Sequence, residues 1–103
     1  MLINSHPPLT PARARVALIA LVRRHSDAFI GRPDADRLAR LPLKDLGDGR
    51  RSLGAFIIDV RHRTYEAIAG RNAPETYVYT GAFRFTRGAW TASLPRVVRA
   101  HQR

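Results

Sequence analysis

The spacing of apolar positions changes once along the chain, from three- and four-residue steps to alternation, near residue 53. In "TPARARVALIALVRRHSDAFIG", residues 10–31, Leu18, Leu21, Val22, His25 and Phe29 recur on one helical face. Thr10 is an N-cap residue, Pro11 suits the first helical position, and Gly31 closes the segment. Residues 16–22 are apolar on every side, which predicts burial on more than one face, with a sheet on one side and a second chain on the other. "RPDADRLARLP" predicts a short second helix, with Asp34 and Asp36 in its first turn and Arg37 and Arg40 near its end. Pro42 stops it, and "LKDLGDGRR" is a polar connector.

From Leu53 onward the pattern is extended. Strands are predicted at residues 53–69, 75–86 and 89–100, with "GRNAPE" as the first turn and Arg87-Gly88 as a two-residue second turn. That second turn sets Phe85 opposite Trp90 and Phe83 opposite Ala92, with Tyr77 and Tyr79 on the same face. Arg84, Thr86, Thr91 and Ser93 take the other, wet face. The predicted class is α+β, with one long and one short N-terminal helix packed on a three- to four-stranded antiparallel sheet. Residues 1–103 form one domain, comprising a loose lead-in (1–9), a helical part (10–41) and the sheet (53–100).

Within the first predicted strand, "IIDVRHRTYEAI" turns from apolar to charged halfway along. Strict alternation puts Asp59, Arg61 and Arg63 on one face of it and Ile58, Val60 and His62 on the other. If Arg84 shares the face of Arg61 and Arg63, three guanidinium groups gather on one sheet surface. They would form an anion site, or else a charged row that resists edge-to-edge pairing.

Charge sharpens this picture. The chain carries a net +10, and 17 of its 18 basic residues are Arg, Lys44 being the exception. Guanidinium forks suit phosphate, although an Arg-rich composition also follows from codon usage. Residues 53–103 hold +5 of the excess. Apolar content of 45% and charged content of 25% are globular values. Cysteine is absent, which excludes disulfides, thiolate metal sites and a thiol nucleophile. The longest apolar run, residues 16–22, is far shorter than a bilayer span and is followed by "RRH" where a signal peptide would have small residues. A cytoplasmic protein is expected, without cofactor or metal, since no two histidines have ligand spacing.

Chemistry has few candidates. His62 is flanked by Arg61 and Arg63, whose charges would favour the neutral base. Asp59 follows "FII", where partial burial would raise its pKa. His25 sits on the apolar helix face, as a hydrogen-bonded core residue. Phe56, Tyr79, Phe83 and Trp90 either belong to the core or line a ligand pocket. There is no phosphate-binding Gly-rich loop, nucleophile elbow or HExxH motif.

Two resemblances bear on function. "YVYTGAFRFTRGAWTASLPRVVR" is similar to the last hairpin of cone-shaped domains of the nuclear-transport-factor-like or cystatin-like kind, which implies a small molecule held in an apolar pocket. "DGRRSLGAFIIDVRHRTYEAI" resembles the sheet-entry strand of the RelE superfamily of basic RNA-cleaving toxins, although Ile57 stands where that family has Arg. It implies a ribonuclease with His62 at the scissile phosphate. The residues themselves favour a non-enzymatic, homodimeric binding module whose basic sheet face meets an anionic partner, nucleic acid first. Arg61, Arg63 and Arg84 would touch phosphate, and Arg96 and Arg99 would add to the field.

Overall fold

A computed structural model describes residues 6–69 and 75–102, and the side chains of all of these except residues 75 and 99–102. Helix α1 (Pro11–His25) begins as its sequence dictates: the Thr10 hydroxyl accepts from Arg13 N at 3.2 Å, and Pro11 needs no N–H partner at that position. It ends before Gly31. A single 3-10 turn (Ser26–Ala28) follows, and Phe29 is extended, so that its ring drops into the core against Phe56, Tyr65 and Tyr79. His25, the last residue of α1, is exposed, which corrects its placement in the core. Helix α2 (Ala35–Arg40) is capped by Asp34, whose carboxylate accepts from Asp36 N at 3.0 Å.

The sheet is antiparallel and open, with seven strands among the described residues: β1 (Lys44–Gly47), β2 (Arg50–Leu53), β3 (Phe56–Asp59), β4 (Thr64–Ala69), β5 (Glu75–Thr86), β6 (Ala89–Ala92) and β7 (Arg96–Gln102). They pair in chain order from β1 to β6, and β7 extends the β6 edge along the other half of β5. The hairpin of β5 and β6 has the predicted register, with Phe85 opposite Trp90 and Phe83 opposite Ala92. Arg87 and Gly88 both take positive φ, 52° and 84°, as a type I′ turn requires. The "GRNAPE" turn lies, for residues 70–74, outside the described residues.

The predicted first strand is two strands, and the polar connector before it is two more. Asp48-Gly49 makes a type I′ turn between β1 and β2, with φ of 55° and 77°. Gly54-Ala55 turns β2 into β3, with Gly54 at φ 59°. The charged step at Arg61, His62 and Arg63 is the tip of the hairpin between β3 and β4. The Asp59 carboxylate closes it by accepting from Arg61 N and His62 N, both at 3.0 Å. Arg63 takes the left-handed position at φ 56°. Alternation therefore stops at Asp59 and restarts at Thr64, and the faces assigned to Arg61, His62 and Arg63 do not exist.

One face of the sheet meets the helices. Leu53, Phe56, Ile58, Tyr65, Ala67, Tyr79 and Phe83 pack there against Ala14, Leu18, Leu21 and Val22. The second side of α1 is taken by α2 of the same chain, where the Arg15 guanidinium donates to Ala39 O at 2.7 Å and Leu41 O at 2.6 Å and satisfies the end of that helix. Of the apolar stretch, Val16, at 69%, and Ala20 stand exposed. Residues 6–9 are tied down: Trp90 Nε1 donates to Pro7 O at 2.9 Å, Arg13 to Pro8 O at 2.7 Å, and Leu9 is buried.

The tightest packing is at Tyr65, which is 1% exposed and crosses β5 where Gly81 leaves room. A Cβ at position 81 would land inside the phenol ring. We expect Gly81→Ala to cost about 3 kcal/mol, the upper end of overpacking losses. The double variant with Tyr65→Leu should lose clearly less than the two single losses added, as urea unfolding would measure. Wild-type stability in Gly81→Ala would contradict this packing.

Candidate anion site on the open sheet face

The edge strand beside β5 is broken at Ser93-Leu94-Pro95, because Pro95 has no N–H to give to a ladder. Ser93 holds the break in place. Its N–H donates to Ala82 O at 2.8 Å, its hydroxyl accepts from Ala82 N at 2.9 Å, and its carbonyl accepts from the Tyr65 hydroxyl at 2.6 Å. Burial pushes the Tyr65 phenol well above its usual pKa, so it remains a donor across the ordinary pH range.

The break opens a notch of about 370 Å³ on the face away from the helices, lined by Thr64, Thr80, Ala82, Arg84, Ser93 and Arg96 among others. Arg84 and Arg96 reach it from two strands, since Arg96 pairs with Thr80 and Arg84 follows four residues along β5. Both are exposed, and neither has a carboxylate partner among the described residues. The Thr80 hydroxyl is used within the sheet, donating to Tyr65 O at 3.1 Å, but two guanidinium forks beside the Thr64 and Ser93 hydroxyls can hold a phosphate or carboxylate. The notch has no general base, so this geometry serves binding.

Of the other sequence candidates for this site, Arg61 and Arg63 diverge. The stem of Arg61 lies over the β1–β2 turn, so that a Cβ on Gly49 would sit 3.0 Å from its Cγ. The Arg63 guanidinium stands 5.4 Å from the Trp90 ring centroid, a cation–π contact on the helix side of the sheet. Neither joins Arg84. Arg99 is opposite Val78 on β7, and its side chain is outside the described part. The sequence reading missed Thr64, Thr80 and Ser93. Pro95 in a predicted strand was the available signal for the break.

Asp59 and His62 form a pair: His62 Nδ1 lies 2.8 Å from Asp59 Oδ2 at the β3–β4 tip. Burial alone would raise the Asp59 pKa. The His62 backbone N–H, the His62 ring and the Arg61 N–H outweigh it, and the pKa is lowered. The expected raised value is thus reversed, because the carboxylate is a turn cap surrounded by donors. His62 is largely exposed, at 76%, and no second catalytic group stands near this pair in the hydrogen-bond and ion-pair network of the described residues.

The four aromatic residues of the pocket alternative do not share one cavity. Phe56 and Tyr79 line an apolar cleft of about 290 Å³ with Phe29, Ile30 and Pro33. Phe83 is core, and Trp90 is half-buried at the far end, between Phe85 and Arg63. Among the described residues there is no cluster of three metal-ligating side chains, and no helix is long and apolar enough to cross a membrane. No protein-family model matches the chain, and no curated protein or solved structure is similar enough to indicate a relationship. The two family resemblances therefore rest on their sequence stretches alone.

The Asp59 cap carries a prediction with a definite sign. A lowered folded pKa gives stability that is present above the usual value of 3.8 and lost as pH falls through the folded one. At neutral pH Asp59→Asn should be less stable than wild type by about 1–2 kcal/mol, the scale of hydrogen bonds to a charged group. The gap should close as pH falls below 3.8. A gap that does not change with pH would mean that the carboxylate charge does nothing in the turn.

Proposed function

We propose that this protein is a non-enzymatic module that binds nucleic acid through its phosphates, on the open face of the sheet. The observation that carries the reading is the notch with Arg84 and Arg96, two cations without carboxylate partners among the described residues, beside the hydroxyls of Thr64 and Ser93. A net charge of +10 adds long-range attraction for a polyanion. Asp59 and Glu66 lie on the same face toward β3 and β4, Glu66 pairing with Thr80 across the ladder. They make that half unfavourable to phosphate and leave the half bounded by β5, β6 and β7. Nothing in the notch reads base edges, so sequence preference should be slight.

A second reading, a small apolar ligand, is supported by the cleft between the Phe29–Pro33 loop and the Phe56 and Tyr79 rings. It does not use the charge, and a ligand there would raise thermal stability without salt dependence.

Salt titration of binding tests the first reading. Affinity should fall steeply with salt, with a slope of about −0.7 per phosphate contact on single strands or about −0.9 on duplex DNA. Arg84→Ala with Arg96→Ala should weaken binding to all sequences alike and flatten that slope by about two contacts. Arg37→Ala with Arg40→Ala, which removes the same charge from α2, should change it little. Equal losses in both double variants would make the interaction one of net charge, and absence of binding at micromolar protein and low salt would end the nucleic-acid reading.

A further inference from the structure

We infer that the nucleic acid bound is single-stranded and that it crosses the sheet edge at Leu94, from the open-face notch into a second groove on the helix side. This rests on the reading above. The second groove, about 270 Å³, runs between the C-terminal half of α1 and β6 and is lined by Ala17, Ala20, Leu21, Arg24, His25 and Leu94 among others. Leu94 belongs to the walls of both cavities and is 56% exposed, so the two meet at the Ser93–Pro95 break. No other described residue lines both.

The chemistry of the two sides is complementary to one flexible polyanion. Arg84 and Arg96 stand on the open side, Arg24 and His25 on the helix side, and none of the four has a carboxylate partner among the described residues. Beside Arg24 the helix-side groove is walled mainly by Ala17, Ala20, Leu21, Leu94 and the Trp90 ring, with Thr91 at its margin, a surface for the flat face of an unpaired base. A base inside a duplex could not offer that face. Passing from one sheet face to the other also demands reversal over roughly 10 Å, the thickness of a sheet with its side chains. Duplex DNA, with a persistence length of about 50 nm, does not turn on that scale, whereas a single strand does.

Fluorescence anisotropy of a labelled 15-nucleotide single strand and of its blunt duplex, at equal salt, tests the inference. The single strand should bind at least about tenfold tighter. Arg24→Ala and Leu94→Ser, both at exposed positions that leave the core intact, should each weaken the single strand several-fold. Arg24→Ala, which touches only the helix-side groove, should leave duplex affinity unchanged. A duplex bound as tightly as the single strand, or single-strand binding indifferent to both substitutions, would overturn the crossing while leaving phosphate binding at Arg84 and Arg96 in place. Loss of binding for both forms in the wild-type protein would instead remove the nucleic-acid reading itself.

Discussion

The arrangement depends on one side chain lying across one glycine. Tyr65 passes over β5 at Gly81, is sealed beneath α1 and the Phe29 and Phe83 rings, and emerges at the sheet edge to donate to the carbonyl of Ser93. This joins the middle of the core to the break in the edge strand. Without the space at position 81 the ring could not reach the edge, and without the ring the Ser93–Pro95 break would lose its inner anchor. The notch exists because the break is held open in a fixed shape, so core packing and the candidate site are one structural problem.

The same coupling explains the sparing use of polar groups. Ser93 supplies three hydrogen bonds at a place where Pro95 prevents a regular ladder, and among the described residues no buried side-chain polar atom lacks a partner. Charge, by contrast, is left largely unpaired. The two ion pairs of arginine with a carboxylate among the described residues, Arg23–Asp36 and Arg51–Asp45, lie at the surface, where such pairs contribute little, and the His62 ring is hydrogen-bonded to Asp59. Neither arginine of the notch has a carboxylate partner among the described residues.

The legible parts of the fold were those with local chemistry. The Thr10 cap, Pro11, the β5 bounds and the Arg87-Gly88 register all follow from residues a few positions apart. The long strand expected over residues 53–69 concealed a hairpin, because its tip contains no glycine, although the core positions change phase across it, from Phe56 and Ile58 to Tyr65 and Ala67. Only Asp59, a residue that bonds the backbone two and three positions on, marked the turn. Asp48-Gly49 was a stronger turn signal, obscured by the polar residues around it. For the site, Arg96 comes to the open face only through the Ser93–Pro95 break, where strict alternation from Trp90 and Ala92 would have put it on the helix side, and Arg84 alone was legible from alternation. Arg61 and Arg63 were not, since a turn releases side chains from the period of two and sends one toward Gly49 and the other to Trp90. The hydroxyls of Thr64, Thr80 and Ser93 converge from three segments, which no local pattern can indicate.

Chemical-shift mapping of the backbone amides with a short single-stranded oligonucleotide at low salt tests the central claim most directly. The account predicts perturbations concentrated at residues 80–84 and 93–97, with a second set at residues 20–25 and little change at the β3–β4 tip, residues 60–63. Perturbations centred on that tip, or spread evenly over the arginines of the whole surface, would contradict it.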